Sequence, residues 1–149
     1  MPEYAREQII DRLTMFCRNE LAAAEGCRVA RAASMGRQHR AELHDCEASH
    51  EARANRLGAL IARMGGETPD SPRLRHALEN TVKETIEALS TRTTLALLEA
   101  NEDERLEDYQ TKTEDLDDET RRFISEDILP EQEHTHGLIS SLKYAFARG

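Results

Sequence analysis

Apolar residues recur along the first half of this chain at steps of three and four, the period of an amphipathic α-helix. One such stripe runs through residues 3–33, where only Gly26 interrupts a helical sequence, and a second runs through residues 37–64. Ser34-Met35-Gly36 separates the two stripes, and glycine suits a helix C-terminus. The pattern predicts two long helices joined by a short turn. Their apolar positions are Ile10, Leu13, Cys17, Ala24, Cys27 and Ala30 in the first helix, and Leu43, Ala54, Leu57, Ile61 and Met64 in the second.

A loop and a shorter helical segment follow the second stripe. Gly65-Gly66 ends the periodic pattern, and the prolines at 69 and 72 indicate a loop. Ser71 is placed to cap a new helix, with Pro72 at its first position. That helix is predicted to span residues 73–89. Its apolar positions are Leu74, Leu78, Val82, Ile86 and Leu89.

Two further long helices complete the pattern. The Ser/Thr-rich residues 90–94 supply N-caps for a third long helix over residues 93–112, and the acidic residues 113–118 suit the start of a fourth that continues to 147. Pro130 lies inside the fourth helix and is expected to kink or split it. The apolar positions are Leu95, Leu98, Leu106 and Tyr109 in the third helix, and Ile124, Ile128, Ile139, Leu142 and Phe146 in the fourth.

Four long helices and one connecting helix predict an all-α fold. The segment from residue 66 to residue 90 is long enough to cross the full length of a bundle between its second and third helices. We therefore expect an antiparallel four-helix bundle with a helical crossover, forming one domain over residues 1–149. Composition favours helix as well, because aromatic residues make up 4% of the chain, tryptophan is absent, and glycine and proline are few.

Net charge, hydropathy and cysteine content restrict the possible binding partners and the cellular compartment. The net charge of −9 opposes binding to phosphate backbones, so no nucleic-acid partner is expected. The absence of a long apolar run and of an apolar leader over residues 1–10 predicts a cytoplasmic protein with no membrane partner. Cys17, Cys27 and Cys46 lack the C-x-x-C spacing of a zinc site and are predicted to be reduced core thiols.

Acids and histidines occupy several positions of the apolar stripes. Glu20 lies in the first stripe, and Glu47 with His50 forms an E-x-x-H pair in the second. The third stripe contains Glu102, and Glu99 precedes it by one turn. In an E-x-x-H pair both side chains project from one helix face, so they can reach the same ion.

The fourth helix offers a second E-x-x-H pair, formed by Glu133 and His136. Glu131 and His134 form an overlapping pair, so the choice between the two remains open. Burying an unpaired carboxylate costs several kcal/mol, so a buried layer of acids and histidines requires some common source of positive charge. A pair of divalent metal ions would supply it, with bridging carboxylates and a terminal nitrogen from each histidine.

This arrangement resembles that of the ferritin-like di-iron proteins, which carry one glutamate on the first helix, E-x-x-H on the second, a glutamate on the third and E-x-x-H on the fourth. Asn19-Glu20-Leu21 and Glu47-Ala48-Ser49-His50 are similar to the first-helix and second-helix sites of bacterioferritins. Glu99 and Glu102 resemble the paired third-helix glutamates of rubrerythrins. Residues 57–89 look more like a bacterial ferritin-like family of four-helix bundles with no assigned function.

The resemblance implies a di-iron centre, with manganese as the alternative metal, that handles iron, O₂ or peroxide by ferroxidase, oxidase or peroxidase chemistry. It implies Glu20, Glu47, His50, Glu99, Glu102, Glu133 and His136 as the metal ligands. Ferritin relatives form dimers or shells, which implies a homo-oligomer, with Tyr144 and Phe146 as candidate interface residues. The alternative function is a metal-free bundle with a structural, stress-related or partner-binding role, in which the acids are unpaired surface groups or form salt bridges with the many arginines. In that case Glu20 would form an ion pair with Arg28 or Arg53.

Overall fold

The computed structural model describes residues 2–33 and 36–148, without the side chains of Tyr4, residues 36–38 and Arg148. All regular structure in these ranges is helical, which confirms the all-α prediction. A five-residue π-helix, Ile124–Ile128, joins the last two α-helices into one continuous element. The α-helices are α1 (Glu3–Ala32), α2 (Gly36–Arg63), α3 (Pro72–Glu87), α4 (Thr91–Thr111), α5 (Asp118–Phe123) and α6 (Leu129–Arg148).

The ends of α2 and α3 follow from local chemistry. Gly65 has a φ of 88°, a left-handed conformation that glycine adopts without strain. Ser71 Oγ accepts a hydrogen bond from Leu74 N at 3.1 Å, with Pro72 at the first helical position, as the sequence predicts. Ser34 and Met35, at the turn predicted between the first two helices, lie outside the described residues.

Of the kink or split predicted at Pro130, the split does not occur, because the last helix is continuous through this residue. Proline lacks an N–H group, and its ring crowds the carbonyl four residues earlier, so it disturbs an ordinary α-helical ladder. Here the Leu129 N–H bonds to the Ile124 carbonyl five residues back, which makes a wide turn directly before the proline. A wide turn at this point keeps the helix continuous where the α-helical bond is lost.

The helices form two closely packed pairs. α1 packs along α2, and α4 packs along α6, while α3 lies mainly on α1. None of the described helices is long and apolar enough to cross a membrane. Tyr144 is 63% exposed, and Phe146 is partly buried with Arg92 5.9 Å from its ring centre.

The apolar interior is divided into two clusters, and buried polar side chains lie between them. One cluster includes Leu13, Phe16, Leu57, Ile61 and Ile128. The other includes Ala30, Leu43, Leu95, Ile139 and Leu142. On α1, α2, α4 and the α5–α6 element, the buried residues between the two clusters include polar side chains, and these form the candidate site.

Candidate functional site

The polar layer between the two apolar clusters draws side chains from all four long elements. Solvent reaches none of them appreciably, since Glu102 is 4% exposed and the others are 0% exposed. Each sits within a buried helical stripe, so its backbone position is fixed by the apolar neighbours one turn away. The layer consists of Glu20 from α1, His50 and Arg53 from α2, Glu102 from α4, and Gln132 and Thr135 from α6.

His50 bridges the two carboxylates of the layer. Its Nδ1 lies 2.9 Å from Glu20 Oε2, and its Nε2 lies 2.6 Å from Glu102 Oε1. Burial by itself lowers the pKa of His50, but the charge of Glu20 and the hydrogen bonds to Glu102 and Glu20 outweigh it and raise the pKa to about 9. His50 is therefore an imidazolium at neutral pH and donates from both nitrogens.

Arg53 fills the centre of the layer. Its Nε lies 3.0 Å from Glu20 Oε2, and its Nη1 donates to Gln132 Oε1. Nη2 donates to Thr135 Oγ1 at 3.0 Å and lies 2.7 Å and 3.3 Å from the two ring nitrogens of His50. Because Nη2 is close to both ring nitrogens, it lies over the imidazole face rather than in the plane of the ring.

The remaining oxygens of the carboxylates are satisfied by neutral donors. Gln132 Nε2 and Thr135 Oγ1 donate to Glu102 Oε2 at 2.7 Å and 2.8 Å. Tyr109 donates its hydroxyl to Glu20 Oε1 at 2.7 Å, and its ring packs edge-on against Phe16. Within the described part of the chain, the buried side-chain atoms that lack a hydrogen bond all belong to residues outside this layer. We call the seven residues Glu20, His50, Arg53, Glu102, Tyr109, Gln132 and Thr135 the ionic cluster.

The ionic cluster balances its own charge. Burial by itself raises the pKa of Glu20, but the charge and hydrogen bond of His50, with Arg53 and Tyr109, lower it below its ordinary value. Burial and the neighbouring Glu20 raise the pKa of Tyr109 well above its usual value, so the phenol stays neutral. Two carboxylates thus face one guanidinium and one imidazolium.

The geometry of the ionic cluster does not fit a dinuclear carboxylate centre. Glu20 and Glu102 contact opposite nitrogens of the His50 ring, so in this arrangement the three side chains do not converge on one ion. A histidine ligand must aim a nitrogen lone pair at the metal, and both nitrogens here point at carboxylates. Among the residues that the structure describes, no group of three or more His, Cys, Asp or Glu side chains is arranged to hold a metal ion.

Of the seven predicted ligands, the structure brings together Glu20, His50 and Glu102. Glu47 Oε1 lies 2.9 Å from Arg31 Nη2, on the flank of α2, without hydrogen-bond geometry. Glu99 accepts a hydrogen bond from Lys143 at 2.8 Å at the surface. Neither Glu47 nor Glu99 reaches the ionic cluster.

The two predicted pairs on the fourth helix also lie outside the ionic cluster. Glu133 is exposed, and His136 Nε2 bonds to Asp103 at the surface. Of the overlapping pair, His134 is exposed, and Glu131 accepts a hydrogen bond from Ser49. The α6 face that meets the ionic cluster carries Gln132 and Thr135 instead, at the i, i+3 spacing expected for Glu and His.

Gln132 and Thr135 of the ionic cluster were not predicted, although the sequence pattern contains a signal for both. Steps of four and three from Ile128 to Leu142 pass through positions 132 and 135, which places Gln132 and Thr135 in the buried stripe. The sequence offers Arg53 only as a candidate ion partner of Glu20, and the structure does place its Nε 3.0 Å from Glu20 Oε2. Its complete burial is unexpected, because a charged side chain is rarely enclosed.

Comparison of the chain with protein families, with curated proteins and with solved structures finds no match.

Proposed function

We propose that this chain is a metal-free, ferritin-like four-helix bundle with a structural or partner-binding role, rather than an oxidase. In this proposal α1, α2, α4 and the α5–α6 element are the four helices, and α3 is the crossover. Arg53 and protonated His50 supply the positive charge that a pair of metal ions supplies in di-iron proteins of this pattern.

The enclosure of Arg53 is the observation that carries the proposal. Its guanidinium is 0% exposed and contacts Glu20, Gln132 and Thr135, so it stands among the groups that would otherwise face a cation. A guanidinium carries its charge at every physiological pH and cannot be neutralised to make way for a metal ion. Displacing it would expose an uncompensated charge in the interior, which is strongly unfavourable.

The composition of the α6 face supports the same function. Gln132 donates an amide N–H to Glu102 and accepts from Arg53, so one side chain links an anion to a cation. A glutamate at this position would add a third negative charge to the layer and would need a further cation. The glutamine is thus matched to an ionic cluster without a metal.

Metal content of the purified full-length protein tests the proposal. The chain would be expressed in medium supplemented with iron and manganese and dialysed without chelator. Its iron and manganese content would then be measured by elemental mass spectrometry. We expect far less than one metal ion per chain and a midpoint of thermal unfolding that added Fe²⁺ leaves unchanged. Iron or manganese at about two ions per chain, lost in the Glu20→Gln variant, would refute the proposal.

The second candidate is the di-metal carboxylate protein that the sequence resemblance implies. The observation in its favour is that Glu20, His50 and Glu102 meet at one level from three different helices. This candidate requires Arg53 to leave the centre and His50 to release a carboxylate. Fe²⁺ titration of the wild type and of Arg53→Ala distinguishes the two functions, since the di-metal candidate predicts that both bind Fe²⁺, whereas the metal-free proposal predicts that the wild type does not.

A further inference from the structure

A cavity of about 270 Å³, partly open to solvent, lies between α1, α3 and α4. It exists because α3 packs mainly on α1 and does not close against α4, and because the facing residues of α1 are small. Its apolar walls are Ala22 and Ala23 of α1, Val82 and Ile86 of α3, and Leu97 and Leu98 of α4. This cavity is separate from the proposed function, although Glu102 of the ionic cluster forms part of its lining.

The charged groups that line the cavity are already compensated. Glu102 bonds to His50 and to neutral donors within the ionic cluster. Arg105 donates from Nε to Asp108 at 3.1 Å, and its Nη2 lies 2.9 Å from Glu104. A charged ligand would therefore meet no unsatisfied opposite charge, so the cavity suits a neutral molecule.

Hydrogen-bonding groups are nevertheless available along the lining. Asn19 and Asn101 present side-chain amides, and Thr85 presents a hydroxyl oxygen whose proton is donated to the Thr81 carbonyl. Such a lining, mostly apolar with a few polar groups, is typical of sites for small molecules. The polar groups allow a ligand one or two oriented hydrogen bonds without requiring a charge.

The size of the cavity limits the ligand. A dry apolar cavity of about 150 Å³ in an engineered protein accepts benzene. The cavity here is nearly twice as large, which suits two fused rings rather than one. We propose that this cavity binds a neutral, largely apolar molecule with one hydrogen-bonding group, of the size and chemistry of a bicyclic aromatic compound such as indole.

Indole itself is a suitable probe because the chain contains no tryptophan. Excitation at wavelengths that tyrosine absorbs weakly makes the emission report the ligand alone. Titration of the full-length protein into indole should give a saturable shift of its emission to shorter wavelength. Ala23→Leu fills the cavity from the α1 wall and should weaken binding about tenfold or more. Ala52→Leu makes the same change at an exposed position of α2 and should bind indole as the wild type does.

Circular dichroism of each variant shows whether the helices remain intact. If Ala23→Leu does not fold, Thr85→Leu fills the cavity from the α3 side and gives the same test. The proposal is overturned if the wild type produces no saturable shift. It is equally overturned if a folded cavity-filling variant binds indole as tightly as the wild type.

Discussion

At the scale of single residues, the ionic cluster shows how charges are held in an apolar interior. Glu20 and Glu102 each accept at least three contacts from donors, and each cation faces at least one carboxylate. Replacing such a buried network as a whole by apolar residues is often neutral or stabilising, whereas removing one member leaves an uncompensated charge. The ionic cluster therefore behaves as a unit whose members depend on one another.

Arg53 is the member whose loss should cost most. In Arg53→Ala, Glu20 and Gln132 each lose a partner without access to water, and we expect the free energy of unfolding to fall by about 3–5 kcal/mol. Urea unfolding monitored by circular dichroism measures this change in the free energy of unfolding. Arg56→Ala removes an exposed arginine from the same helix and should change stability by less than about 1 kcal/mol. Equal losses in the two variants would show that the guanidinium is not a structural cation.

His50 should make stability depend on pH in a defined window. Its pKa rises from the ordinary 6.5 to about 9 on folding, so its contribution is complete below the unfolded value and is lost as the pH rises through the folded value. We expect about 3 kcal/mol of stability to disappear between pH 6.5 and pH 9. Glu20 has a lowered pKa, and its contribution is lost only on the acid side, outside this window.

Urea unfolding at pH 6.5 and pH 9 measures the effect. His50→Gln should be less stable at pH 6.5 and should lose most of the difference between the two conditions. His44→Gln, which changes an exposed histidine of the same helix, should keep the wild-type difference. A wild type whose stability is the same at both values would contradict an imidazolium at position 50.

The ligand predictions show what the sequence can establish at this scale. Glu20, His50 and Glu102 are identifiable because each interrupts an otherwise apolar stripe. A step of four from Leu43 places Glu47 in the α2 stripe, but the structure buries Cys46 there and turns Glu47 to the flank. The seven-residue spacing from Leu43 to His50 accommodates either position, so periodicity alone cannot choose between them.

At the scale of helices, the sequence predicts the elements well because caps and loop signals are local. The starts and ends of the predicted helical segments agree with the structure to within about two residues, a typical uncertainty for helix boundaries. The exception is the start of the fourth long helix, which was predicted only to lie within residues 113–118 and begins at Asp118. The π turn before Pro130 cannot be read from the pattern. It depends on how the backbone redistributes its hydrogen bonds around a residue that lacks an N–H group.

Two glycines test the packing of individual elements, Gly66 at the contact between α1 and the end of α2, and Gly137 on the exposed face of α6. A Cβ on Gly66 would lie 2.8 Å from Ile10 Cγ2 and 3.0 Å from Ile61 Cγ2, so the Gly66→Ala variant should lose about 1–3 kcal/mol. A Cβ on Gly137, within α6, would meet open space, so Gly137→Ala should gain about 0.5–1 kcal/mol of helix propensity. Thermal unfolding of both variants shows whether the two changes in stability have opposite signs.

The opposite outcome would be informative. A stabilised Gly66→Ala variant would mean that the end of α2 does not approach the start of α1 as closely as the structure has it. A destabilised Gly137→Ala variant would mean that this exposed face of α6 is covered by another molecule, such as a second copy of the chain.

At the scale of the whole molecule, two apolar clusters lie on either side of one charged layer. The layer takes side chains from all four long elements, so its hydrogen bonds are formed together only when the elements share one register. Buried polar groups can select one arrangement in this way, and we offer that role for the ionic cluster as a hypothesis. The sequence indicates a layer of this kind but not the enclosure of Arg53, because this arginine does not stand out from the chain's many surface arginines.

The central claim is that Arg53 and His50 occupy the place of a metal centre, and anomalous scattering tests it most directly. Crystals of the full-length protein would be soaked in Fe²⁺ without oxygen and measured just above the iron absorption edge. The account predicts no anomalous peak among Glu20, His50 and Glu102, with the Arg53 guanidinium at the centre of the layer. A peak at about 2.1 Å from carboxylate oxygens of Glu20 or Glu102, with Arg53 displaced, would contradict it.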